Sequence, residues 1–191
     1  LEASLVADLL RGVEERGLIE AGAMVLSGYL GSAAIAEEVA AFVLRARRTN
    51  PRLIYLCDPV MGDNDIGFFV PVDLQAAFRE HHAPLADIVT PNAFELGALS
   101  GTPVITPADV AAAAASIGTA TVITTGVSAE GDSVCTMLAE AGALWVVTTA
   151  RIDARPAGTG DLFTGLFAAR LANGFAARPA MEAAVTGTFE A

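Results

Sequence analysis

A chain of 191 residues, 53% hydrophobic and 17% charged, has enough apolar material for a sizeable core and is too apolar for disorder. Its formal net charge of −11 argues against nucleic acid and acidic membrane surfaces, because no basic patch is present to neutralise phosphates. No apolar run reaches the length of a membrane span, no signal peptide is visible, Leu1 is not an initiator methionine, and no lysine occurs, which excludes a P-loop lysine.

Leu5 to Leu18 reads as an amphipathic helix with Leu5, Leu9, Leu10 and Val13 on one face. Ala23-Met24-Val25-Leu26 is a short buried strand, and Ser27-Gly28-Tyr29-Leu30-Gly31 is the loop leaving it. Ser32 suits an N-cap, and Ala33 to Arg48 follow as a helix closed by Asn50-Pro51. Leu53 to Cys57 is a second continuous apolar strand. Strands without polar alternation, alternating with helices, predict a parallel sheet covered on both faces, hence a three-layer α/β/α sandwich. Cys57 and Cys135 stand isolated in apolar runs, which predicts buried free thiols in a reducing cytoplasm.

Asp58-Pro59-Val60-Met61-Gly62-Asp63 follows the second strand. Open α/β sheets bind ligands outside the carboxyl ends of their strands, so paired carboxylates here suit a hard cation held by oxygen ligands. A solvated turn is the alternative. Asp65 to Val70 reads as a glycine-containing loop and Val72 to His81 as a helix, with His81 and His82 as surface residues at its polar end. Ala86 to Val89 forms a third strand ending in Thr90-Pro91-Asn92, and Glu95 stands at capping-box spacing from Asn92. A cap and a metal or phosphate role weigh equally for this pair. Thr106 to Asp109 opens a helix running to Ile117, and Thr121 to Thr124 is a fourth strand. Ser133 to Leu138 and Leu144 to Thr149 read as a hairpin turning at Glu140-Ala141-Gly142. Arg151-Ile152-Asp153 then leads to the stretch on which the chain is organised, and Pro179 to Glu190 is a last helix. With no internal repeat or linker, residues 1–191 read as a single domain.

That stretch is Ala157-Gly158-Thr159-Gly160-Asp161-Leu162-Phe163-Thr164-Gly165. Gly158 and Gly160 permit backbone approaches that a Cβ forbids. The first amides of a helix starting here have no intrahelical partners and carry the positive end of its dipole, which makes an anion site. A carboxylate beside such a site makes sense if Asp161 is a base while the amides hold the charge of a transferring group. An ordinary helix start with an acidic first turn is the alternative.

Taken together, Ser27-Gly28-Tyr29-Leu30-Gly31, Asp58-Pro59-Val60-Met61-Gly62-Asp63, Thr90-Pro91-Asn92 with Glu95, and Gly158-Thr159-Gly160-Asp161 resemble the pyridoxal kinases of the ribokinase-like superfamily, in order and across the chain. The resemblance implies transfer of the ATP γ-phosphate to the 5′-hydroxyl of pyridoxal, pyridoxine or pyridoxamine. It implies Asp161 as the base, with Gly158, Thr159 and Gly160 as the anion hole. Asp58, Asp63 and Glu95 would organise Mg²⁺ and its waters, with room for a monovalent cation. Thr90 and Asn92 would lie near the phosphates, Thr124 and the region of Ile152 near the nucleotide, and Tyr29 beside the vitamer. A cytoplasmic homodimer, with no nucleic-acid or membrane partner, is the implied assembly. Hydroxymethylpyrimidine kinases are the alternative; they typically carry cysteine in place of Asp161 and lack the Gly62-Asp63 continuation. A non-catalytic binding homologue would keep the same motifs. A dinucleotide oxidoreductase is disfavoured, since Gly158, Gly160 and Gly165 do not have the G-x-G-x-x-G spacing. Family members begin with βα units carrying a glycine–serine substrate loop and a lid. Nothing here matches these, so the N-terminal part, and with it the ring contacts, is expected to be missing from this chain, which also stops early at its C-terminus.

Overall fold

The computed structural model describes residues 1–153 and 157–191. In chain order these form α1 (Ala3–Glu15), β1 (Met24–Ser27), α2 (Ala33–Thr49), β2 (Ile54–Cys57), β3 (Gly62–Asp63), β4 (Gly67–Phe68) and α3 (Val72–Ala77). Helix α3 runs through a π-helical turn (Phe78–His82) into α4 (Ala83–Leu85), followed by β5 (Ile88–Val89), α5 (Ala93–Ser100) and α6 (Pro107–Ser116). Three longer strands, β6 (Thr121–Ala129), β7 (Ser133–Glu140) and β8 (Ala143–Ala150), precede α7 (Thr159–Ala172) and α8 (Ala177–Phe189).

The main sheet has the order β1-β2-β5-β6-β7-β8. Strands β1, β2, β5 and β6 are parallel, because helical crossovers join them, whereas tight turns make β6, β7 and β8 antiparallel. Both faces of β2, β5 and the start of β6 are buried, which is why these strands read as unbroken apolar runs, whereas the edge strand β8 stays largely exposed. Tyr55, Cys57, Val89, Val122 and Met137 face the layer of α2, α3, α5 and α6. Leu56, Ile88, Ile123 and Leu138 face Phe163 and Phe167 of α7 and Ala180, Met181 and Ala184 of α8. The expected α/β/α architecture is therefore present, and Cys57 and Cys135 are buried free thiols. Among the described residues, no helix is long and apolar enough to cross a membrane.

Four local expectations need correction. Helix α1 packs Val6, Leu10 and Val13 against the core, while Leu5 and Leu9 stay 48% and 61% exposed; a slightly rotated stripe won because α1 sits on α2, with Glu14 paired to Arg45 at 3.0 Å. Residues 65–70 are not all loop, since β4 within them pairs with β3 in a small antiparallel ladder, Gly62 opposite Phe68 and Asp63 opposite Gly67. Strand β6 continues past Thr124, because β7 supplies a partner for its second half across a register shift between Thr124 and Val127. His82 is fully buried, unlike the exposed His81. The π-helical turn adds a residue to one turn of helix and so brings position 82 to the inner face.

Candidate active site

Each parallel strand ends by pinning the loop of its neighbour. The Asp58 amide donates to the Ser27 carbonyl at 2.8 Å, the Thr90 amide to Cys57 at 3.0 Å, and the Thr125 amide to Pro91 at 3.0 Å. Three polar loops are thereby locked along one edge of the sheet, the carboxyl ends of β1, β2 and β5.

Asp58 is only 5% exposed. The Thr164 hydroxyl donates to its Oδ2 at 3.0 Å, and Thr90 Oγ1 lies 3.1 Å from Thr164 Oγ1. Because the Thr164 proton goes to the carboxylate, Thr90 is the donor in the second bond. Burial, reinforced by the nearby Asp161 charge, pushes the Asp58 carboxyl up to about 7 against the opposing hydrogen bond from Thr164. Thr90 therefore reaches the site through Thr164. Sequence reading assigned Thr164 no role, yet its place one turn after Asp161 on the same face of α7 was the available signal.

Glu95 is 4% exposed and closes a capping box with Asn92. Its Oε1 accepts from the Met61 and Gly62 amides at 2.9 and 3.4 Å, and its Oε2 from the Asn92 amide at 2.9 Å. Asn92 Nδ2 donates to the Gly62 carbonyl at 2.8 Å, and Phe68 packs on Phe94 with ring centroids 4.7 Å apart. The helix cap and the β3–β4 ladder are one unit. Gly62 is required in it, since a Cβ there would lie 2.6 Å from both the Gly67 carbonyl oxygen and Phe94 Cε1. Gly62→Ala should therefore cost roughly 1–3 kcal/mol, as overpacking against backbone does. A urea midpoint within error of the wild type would show that the ladder gives way freely.

Gly158 caps α7 with φ 89°, a left-handed conformation that glycine alone adopts without strain. The Leu162 amide returns to its carbonyl at 2.9 Å, and the first-turn amides are left facing outward. Asp161, exposed at the third helical position, faces the loop after β1: a Cβ on Gly28 would stand 3.8 Å from Asp161 Oδ1. Beside this helix start lies a cleft of about 360 Å³. Thr159, Gly160, Asp63, Asn92 and Ile152 line it, with Thr125, Gly126, Thr136 and Thr149 from the antiparallel strands and Val185, Thr188 and Phe189 from α8.

One expectation about this cleft does not hold. Thr124 is fully buried, with no hydrogen-bond partner for its hydroxyl among the described residues, and the bulge that follows it turns Thr125 and Gly126 to the cleft instead. Asp58, Asp63 and Glu95 do not form a direct cage, since among the described residues no three acidic, histidine or cysteine side chains lie together as metal ligands. Asp63 is exposed at the cleft wall, and the oxygens of Glu95 are occupied by amides. Tyr29 stands 61% exposed on the β1–α2 loop, outside the cleft lining.

A divalent cation nonetheless fits Asp58. Its carboxylate is a hard oxygen donor, is buried beside two other acidic groups, and has no described basic side chain bonded to it. Burial likewise pushes Glu95 up to about 7, despite three amide donors that favour its carboxylate. The ordinary values of these two groups are 3.8 and 4.5. A carboxyl raised in the folded state contributes stability that is full below its unfolded value and lost as the pH rises through about 7. In EDTA the thermal midpoint should fall between about pH 5 and pH 8, and Mg²⁺ should restore it at the higher pH only. A midpoint that rises over that interval would mean that both groups are already ionised in acid.

A family model described as phosphomethylpyrimidine kinase matches residues 20–191. Pyridoxal kinase PdxY of Rubrobacter xylanophilus is 37% identical over 178 residues, covering 90% of this chain and 61% of that protein. Pyridoxal kinase PdxY of Leifsonia xyli is 34% identical over 192 residues, covering 97% of this chain and 68% of that protein. The chain thus spans about three fifths to two thirds of the length of these relatives. Among solved structures, pyridoxal kinase from Entamoeba histolytica shares the fold with a TM-score of 0.91 at 22% identity, over 100% of this chain and 69% of that one. Pyridoxal kinase from Leishmania donovani in complex with ADP and pyridoxamine gives 0.89 at 25% identity, over 100% and 68%.

Proposed function

The chain belongs to the phosphomethylpyrimidine kinase family, among the pyridoxal kinases, and from that premise we propose that it transfers the γ-phosphoryl group of ATP to the 5′-hydroxyl of pyridoxal or its pyridoxine and pyridoxamine relatives. The observation that carries this reading is Asp161 in the first turn of α7, opposite Gly28, above the buried Asp58 and next to the cleft. The complex of the Leishmania kinase with ADP and pyridoxamine supports the same pair of substrates.

In this reading the hydroxyl enters between Gly28 and Asp161, with Tyr29 toward the vitamer ring. Asp161 accepts the hydroxyl proton as the oxygen attacks phosphorus. The amides of Thr159 and Gly160 hold the charge on the transferring group, helped by the positive end of α7. ATP lies in the cleft, with its base toward Ile152 and α8. Mg²⁺ held at Asp58, with Asp63 and Glu95 acting through its waters, would neutralise triphosphate charge. Thr164 and Thr90 keep the Asp58 carboxylate in one orientation. Catalysis by this set is positioning and electrostatics, with no covalent intermediate.

The description of the family model favours a second reading, phosphorylation of hydroxymethylpyrimidine. Supplying ATP and Mg²⁺ with either alcohol, and following ADP and the phosphorylated product, separates the two. Pyridoxal should be turned over with one ADP formed per pyridoxal 5′-phosphate. Faster turnover of hydroxymethylpyrimidine would overturn the assignment.

A further inference from the structure

The loop that faces Asp161 is locked from behind by side chains the reaction does not touch. Ser27, the last residue of β1, gives its carbonyl to the Asp58 amide, and its hydroxyl lies 2.7 Å from Tyr55 Oη. Tyr55 Oη is 2.6 Å from His82 Nδ1, and His82 Nε2 is 3.0 Å from the Ala36 carbonyl oxygen in α2. A carbonyl only accepts, so Nε2 carries a proton. Nδ1 of the neutral ring must then accept from Tyr55, which leaves Ser27 to donate to Tyr55. Ser27 is 6% exposed, and Tyr55 and His82 are fully buried. Burial lowers the His82 pKa and so favours the neutral ring that this proton order requires.

The helix is distorted where it makes this contact. The π-helical turn ends at His82, and such turns concentrate at functional positions. An apolar residue at 82 would fill the same space without desolvating an imidazole, so stability alone gives weak grounds for the relay. What the relay touches is the joint between two parts of the site. Through Ser27 it holds both the backbone that continues into Gly28 and Tyr29 and the carbonyl that receives Asp58. The nucleotide cleft lies elsewhere, and none of the three residues lines it.

We propose that Ser27, Tyr55 and His82 are positioning residues that fix the Gly28–Tyr29 turn against Asp161 and so set the fit of the vitamer rather than that of ATP. This rests on the kinase reading above. Tyr55→Phe keeps the ring and removes both hydrogen bonds. It should raise the KM for pyridoxal on the order of tenfold, with the KM for ATP within about twofold of wild type. Amide exchange over residues 28–31 should quicken while that of α7 does not. Ser27→Ala should act in the same direction, and Ser27→Thr, which keeps the hydroxyl, should return both readouts to wild type.

If the variants lower only the thermal midpoint, leaving pyridoxal KM and loop exchange unchanged, the relay is structural and the inference is overturned. If the wild type does not phosphorylate pyridoxal, the kinase reading fails by itself, and loop exchange decides the relay: faster exchange at 28–31 supports it and unchanged exchange overturns it. Should Tyr55→Phe not fold, the Ser27→Ala and Ser27→Thr pair gives the same decision.

Discussion

Asp161→Asn should lower kcat for pyridoxal phosphorylation by on the order of 10²–10⁴, the usual contribution of a positioned general base. The amide is nearly isosteric with the carboxylate, and Gly158 and the outward amides of α7 are backbone features that the change leaves in place. Asparagine cannot accept the hydroxyl proton. It also removes a negative charge close to where phosphates would sit, so ATP affinity should hold or rise slightly. A residue that merely suits a helix start would behave otherwise, with a small loss of stability and turnover near wild type. Measuring kcat, ATP affinity and thermal midpoint on the two proteins separates these outcomes. A fall in kcat of less than about threefold would remove Asp161 from the role of base.

Chelating divalent ions should weaken ATP binding by at least about tenfold, because two like charges 4 Å apart near a protein surface repel by about 4 kcal/mol. The repulsion is unavoidable in this site. Asp161 acts on Asp58 and Asp58 on Glu95, Asp63 stands at the cleft wall, the chain has no lysine, and its net charge is −11. Helix amides alone supply partial charges, too small to balance a triphosphate. Isothermal titration of ATP with Mg²⁺ and again with EDTA measures the difference. Equal affinities would take the metal out of the proposal.

The sheet was legible because β1, β2, β5 and the start of β6 are continuous apolar runs, and their polar ends fall where loops must leave the layer. The Asn92–Glu95 cap was legible because its geometry is set within four residues. What the chain hides is what distant segments decide. His82 turns inward because Tyr55, a residue 27 positions earlier, supplies a partner, and no local pattern announces a π-helical turn. Thr125 replaces Thr124 at the cleft because β7 pairs with β6 across a bulge, and a slip along a strand exchanges its faces. Thr164 acquires its role only when Asp58, 106 residues away, is brought beneath it.

The two faces of the sheet are unequal partners. The layer of α2, α3, α5 and α6 shares the large core, whereas α7 and α8 rest on a smaller cluster built from Phe163, Phe167, Ala180, Met181 and Ala184. The helix that presents Asp161 therefore belongs to the more lightly anchored layer, while Asp58 and the β1 loop belong to the heavily anchored one. Substitutions will be tolerated differently on the two sides. A methyl lost from Val43 or Leu74 is absorbed by many neighbours and leaves the reacting groups in register. The same loss at Met181 loosens the seat of α7 and shifts one half of the site against the other. In a drifting lineage, activity would be surrendered through the α7–α8 layer well before the fold itself.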